Sequence, residues 1–161
     1  MTYSAVRDAI VARLNTVSDV GAVNSYRRGV KHFGDFDTAF MATIGGVKQI
    51  RGWDVSWESG GYSPEAWQAD STMLLAGEQV YVVRGYMSQR DADATDKTFS
   101  DLIRLVIRAL STCMASATRR QSHVPVFLRS NVFMNFEAPS AGVALIHYCE
   151  IEVRVMDEEV V

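Results

Sequence analysis

Apolar residues recur every three to four positions near the start of the chain, at Tyr3, Val6, Ile10, Leu14 and Val17, while Arg7, Asp8 and Asn15 fall elsewhere. That spacing predicts a helix over residues 3–17 that lies on a sheet with one face. A wider stripe, Phe99, Leu102, Ile103, Val106, Ile107 and Leu110, predicts a long helix over residues 94–115. Asp91, Asp93 and Thr95 suit its N-terminus, because their oxygens can accept bonds from free backbone amides and negative charge favours the positive end of the dipole. Phe36, Phe40 and Ile44 also keep a helix-like period, predicting a helix over residues 33–44.

Strict alternation marks the strands. Residues 48–58 place Trp53, Val55 and Trp57 on one face and Gly52, Asp54 and Ser56 on the other, the pattern of a half-buried strand. Its expected partner is the run 78–88, and the segment 59–77 between them, with Gly60, Gly61, Pro64 and Trp67, reads as a long connection. A short strand is expected at 22–28. Two more are expected at 124–136 and 143–156, joined by a turn through Pro139 and Gly142. In the last of these, Val143, Leu145, His147, Cys149, Ile151, Val153 and Val155 share the core face, and Tyr148, Glu150, Glu152 and Arg154 share a partly wet one. The element order implies one α+β domain, a mainly antiparallel sheet with helices packed on one side.

Composition agrees with an ordered domain: 48% hydrophobic and 22% charged residues are far from the signature of disorder. The net charge of −3 arises from residues scattered along the chain, with no run of like charge that would read as a nucleic-acid or membrane-binding tail. Arg7, Asp8, Arg13 and Asn15 interrupt any signal-peptide core, and no segment has the apolar length of a membrane span. Cys113 and Cys149 form no CxxC pair, the usage expected of a reducing compartment.

Candidate chemistry is sparse. Asp91-Ala92-Asp93-Ala94-Thr95 resembles the nucleophile loop of haloacid-dehalogenase-like phosphatases, but that loop should end a buried apolar strand, and here Ser88, Gln89 and Arg90 precede it. Helix capping is the expected role. As a calcium loop the run lacks both the glycine, replaced by Asp96, and the final glutamate, replaced by Leu102. Gly61-Tyr62-Ser63-Pro64-Glu65 begins like a nucleophile elbow yet has Glu65 where the second glycine belongs, so a surface turn is expected. Gly45-Gly46 and Gly60-Gly61 read as turns, without the ending that grips phosphate. His32, His123 and His147 have no cysteine or histidine at metal-ligand spacing, and His147 and Cys149 are expected in the core. The expectation is a protein without enzymatic activity, metal or cofactor.

Aromatic and arginine residues, the types enriched where proteins meet, are plentiful in the strands and connections. Tyr26, Arg27, Arg28, Arg51, Trp57 and Trp67 are candidate interface residues, joined by Glu150, Glu152 and Arg154 as a charged strand surface. The pattern leaves open whether Trp53 and Trp57 fill the core or meet a partner.

Several segments, in order along most of the chain, resemble the tail terminator (tail completion) proteins of long-tailed bacteriophages. They are Val6-Arg7-Asp8-Ala9-Ile10, Val23-Asn24-Ser25-Tyr26-Arg27-Arg28, Ile50-Arg51-Gly52-Trp53, Val83-Arg84-Gly85-Tyr86 leading into the helix at 93–110, and the closing strand pair. Gly29 stands where an aromatic is expected. The resemblance implies an α+β subunit of a hexameric ring that caps the tail tube and stops its polymerisation. It also implies that the ring presents a surface to the head connector, in a virion assembled in the bacterial cytoplasm. It would make residues 59–77 a tube-contacting or intersubunit arm. The readings kept beside it are another neck or baseplate-hub subunit and, in a different class, a small phosphatase using Asp91 and Asp93. A nucleic-acid-binding module is disfavoured by the pI near 5.6.

Overall fold

A computed structural model of the chain describes residues 3–28, 33–67, 73–89, 94–111, 126–138 and 142–160. Helix α1 (Tyr3–Leu14) is followed by β1 (Ala22–Asn24), α2 (Phe33–Phe40), β2 (Met41–Ile44), β3 (Val47–Gly60), β4 (Ser63–Trp67) and β5 (Met73–Ser88). Helix α3 (Thr95–Ser111) and the pair β6 (Val126–Ala138) and β7 (Gly142–Val160) complete the order. The fold is α+β.

The sheet runs β1-β3-β5-β7-β6, with β2 also on β3 and β4 also on β5. Among the described residues only β1 pairs in parallel; the other ladders are antiparallel. β5 and β7 form the spine, in register from Leu74 opposite Val160 to Ser88 opposite Ile146.

Helices α1 and α3 cover one face. Val6, Ile10 and Leu14, spaced by four, are buried with Phe99, Leu102, Ile103, Val106 and Leu110 against Trp53, Val55, Tyr81, Val83, Cys149, Ile151 and Val153. Trp53 stacks at 6.3 Å on Phe99 and donates its indole N–H to the Val20 carbonyl at 3.0 Å, so the polar edge of a fully buried ring is satisfied. His147 lies in the same layer, its Nε2 3.0 Å from the Thr95 hydroxyl, as expected of a core histidine. Burial pushes the Cys149 thiol up to about 12.

The expected single helix over 33–44 is two elements. Helix α2 ends at Phe40, and Met41–Ile44 pairs with β3 through a two-residue turn in which Gly45 and Gly46 both have positive φ, 57° and 81°. That turn matches the twist of a hairpin and requires residues without a Cβ penalty. Phe36 and Phe40 pack on Tyr86, and Phe40 lies over Gly52. Gly52 and Tyr86 are directly opposed on neighbouring strands and point away from the Trp53 layer, so α2 sits on the other face from α1 and α3.

The described residues of 59–77 are also mostly strand. Ser59 and Gly60 finish β3, Ser63–Trp67 is strand β4 against β5, and β5 begins at Met73. Ser63 and Pro64, expected in a surface turn, are therefore in a strand. β4 lies on an edge where a proline's missing N–H is tolerated.

Candidate interaction surfaces

Alternation along β3, β5 and β7 gathers charge on the face opposite α1 and α3. Asp54, Arg84 and Glu150 lie in one cross-strand row. Arg84 sits between the two acids, 3.4 Å from Asp54 Oδ1 and 3.3 Å from Glu150 Oε1, and donates to Ser56 Oγ at 2.7 Å. Tyr86 donates to Asp54 Oδ2 at 3.3 Å, and Tyr148 donates to Glu150. Asp54 is 1% exposed. Burial pushes its carboxyl above the ordinary range, opposed by Arg84, Tyr86 and the charge of Arg27. Burial acts to lower Arg84, but Asp54, with Tyr148 and Glu150, outweighs it and holds the guanidinium above its ordinary value. The Tyr86 and Tyr148 phenols are raised, first by burial and then by the neighbouring carboxylates Asp54 and Glu150 respectively.

A second row spans four strands. Arg129 of β6 reaches Glu152 of β7 at 3.1 Å and Glu58 of β3 at 2.6 Å. Arg154 bonds Glu152 on its own strand, meets Glu78 of β5 at 3.4 Å and lies 5.5 Å from the centre of the Phe127 ring. Such a lattice of arginine and carboxylate fixes strand register and favours ion pairs over proton transfer, since each carboxylate of the two rows faces an arginine.

The candidate residues named from the sequence fall in separate places. Glu150, Glu152 and Arg154 do share this face. Arg27 is near enough to act on Asp54, while Tyr26 and Arg28 engage each other by a hydrogen bond and by a cation over the ring at 5.2 Å. Arg51 and Trp57 are on the opposite face. Trp57 is 45% exposed at the end of the Trp53 and Val55 row, and bonds Gln79 Oε1 at 3.0 Å. Trp53 is core and Trp57 is surface.

Arg51 corrects the sequence reading, because it is only 7% exposed and donates to the Asp19 carbonyl at 3.2 Å within this chain. Burial pulls its guanidinium below the ordinary value, with Asp19 opposing. The Trp67 side chain, those of residues 157–159, and Asp91, Asp93, His32, His123 and Cys113 lie outside what is described.

Strand β6 is the feature that the sequence reading did not single out. Among the described residues it pairs only with β7, and Phe127, Leu128 and Val132 along it are 52%, 46% and 51% exposed. Phe127 and Leu128 point to opposite faces, so the edge is apolar on both sides. Leu145 and Met156 of β7 are exposed nearby. The signal in the sequence is Val126-Phe127-Leu128, an apolar run with no alternation.

Among the described residues no group of His, Cys, Asp and Glu is placed to hold a metal ion, and no helix is long and apolar enough to cross a membrane. No protein-family model matches the chain, and no curated protein matches it.

Proposed function

We propose that this chain is a structural assembly protein of a long-tailed bacteriophage, of the tail terminator kind. It forms a ring, six copies in the expected form, at the head-proximal end of the tail tube. There it occupies the surface on which another tube subunit would add, and it offers its outer side to the head connector. The segment resemblance supplies the identity of the partners.

The observation that carries an assembly role is the edge of β6, unpaired beyond β7 among the described residues, with Phe127, Leu128 and Val132 exposed along it. A sheet edge offers unpaired amides and carbonyls, and exposed apolar side chains on such an edge promote pairing with another chain. The charged rows on the adjoining face add register to such a contact, since misplaced like charges are repelled.

The test is the solution mass of the purified chain by light scattering across a concentration series, with negative-stain imaging of large species and pelleting with tail tubes. A discrete hexamer or six-fold ring that binds tube ends is the expected result. A monomer at every concentration that also ignores tubes overturns the reading.

A further inference from the structure

The outer face of helix α3, turned away from the sheet, exposes Arg104, Leu105 and Arg108 within about one turn. Lys97 and Asp101, also exposed, offset each other in the first half of the helix, so the second half is positive. Neither Arg104 nor Arg108 makes an ion pair among the described residues. The negative end of the helix dipole accounts for Arg108 in the last turn, but not for Arg104 before it. Leu105 is 45% exposed. A lone exposed leucine is ordinary. One set between two unpaired arginines has the make-up of an apolar anchor with a charged rim.

The opposite side of the sheet carries a counterpart, at the end away from α2. There Glu58, Glu78 and Glu152 share two arginines, Arg129 and Arg154, which leaves one acid in excess among the described residues. Glu58 and Glu78, 41% and 43% exposed at their side chains, each give one oxygen to an arginine of this chain and keep the other for a donor from outside. Phe127, which lies against Arg154, and Met156, directly opposite Glu78, are half-exposed and supply apolar surface.

One chain therefore carries two unlike patches of complementary charge, on opposite sides of its sheet. Sheet patch against sheet patch sets acids against acids, and helix against helix sets arginines against arginines, so the charges favour unlike pairing. Such a contact leaves every bound copy with one patch unused. It continues head to tail, and it closes as a ring where the rotation per copy allows.

We propose that a second copy of this chain docks the outer face of its α3 on this end of the sheet, Leu105 against Phe127 and Met156, with Arg104 and Arg108 on the open oxygens of Glu58 and Glu78. The contact rests on the assembly reading above and gives the ring its subunit-to-subunit surface.

The test is light scattering at low salt on two variants of the full chain, alone and mixed. Glu58→Lys with Glu78→Lys reverses the sheet patch, and Arg104→Glu with Arg108→Glu reverses the helix. Each variant alone should associate at least about tenfold more weakly than the parent. An equimolar mixture should recover the parental mass, because each reversed patch then meets the other and each unreversed patch meets its natural counterpart. The helix variant decides by itself if the sheet variant fails to fold, since its arginines hold no partner in the described chain. Single variants of parental mass, a mixture of folded variants no heavier than its components, or a parent that is monomeric at every concentration overturn this contact. Pelleting with tail tubes reads the assembly role separately. A parent that binds tube ends while failing here leaves that role standing and excludes this contact.

Discussion

Trp53 and Gly85 stand directly opposite each other on β3 and β5, and a Cβ placed on Gly85 would lie 2.4 Å from the Trp53 ring and 2.8 Å from Cys149 Sγ. The glycine is the space into which the indole packs. Gly85→Ala should therefore destabilise the fold by about 1–3 kcal/mol through overpacking. Trp53→Leu should relieve the clash. In urea unfolding the double variant should lose less than the sum of the two single losses, by about 0.5–3 kcal/mol. Additive losses would mean that the two residues do not compete for this space.

Arg84 neutralises a carboxylate that has almost no access to water. Arg84→Met should cost about 3–5 kcal/mol, because Asp54 is left buried with its charge uncompensated. Adding Asp54→Asn should recover part of that loss. A single variant as stable as the parent would show that Asp54 is already neutral.

The same carboxyl sets a pH dependence. Its folded pKa lies above the ordinary value of 3.8, because burial disfavours the charged form. A raised value means that the folded chain holds the proton more tightly than the unfolded chain. The stability due to Asp54 is then fully present below 3.8 and is lost as pH rises through the folded value. The unfolding free energy of the parent minus that of Asp54→Asn should fall as the pH is raised above 3.8, measured by urea titrations of both proteins. A difference that rises with pH would contradict the assignment.

Cys149 should be chemically silent in the native state. It is buried and its thiol is pushed up to about 12, so almost no thiolate forms near neutral pH. Iodoacetamide at pH 8, followed by peptide mass spectrometry, should modify Cys149 only after unfolding. Rapid modification of the native chain would place this thiol nearer the surface.

Phe127→Lys and Val132→Lys should leave the stability of the chain within about 0.5 kcal/mol, because both side chains are half-exposed. They should dissociate any oligomer built on the β6 edge, since lysine on an edge strand opposes pairing. Light scattering reads the result, and an oligomer of unchanged mass would place the contact elsewhere.

Much of the fold is legible in the residue pattern. The apolar stripes of α1 and α3 are local, and the alternation of β7 correctly sends His147 and Cys149 to the core face. The helix expected over 33–44 fails at its end. Phe36, Phe40 and Ile44 satisfy a helical period, but two glycines between apolar runs are also a hairpin signal, and pairing with β3 decides for the strand. Residues 59–77 read as a long connection from their glycines and proline, and Ser63–Trp67 within them is strand because it finds partners on β5.

The candidate surface is less legible, for a geometric reason. Whether an arginine is free to meet a partner depends on what covers it, and Arg51 is covered by the segment at Asp19, 32 positions away. Glu58 and Arg129 meet across 71 positions and four strands, beyond the reach of any local pattern.

By itself, then, the sequence determines the apolar stripes of α1 and α3 and the alternation of β3 and β7, because those properties repeat within a turn or a pleat. The tertiary structure alone decides that Trp53 is covered and Trp57 is not, that Asp54 and Arg84 are buried together, and that β6, among the described residues, pairs with β7 alone. Those outcomes depend on where the helices stop along the sheet and on which strands become neighbours, and both are set by contacts between distant parts of the chain.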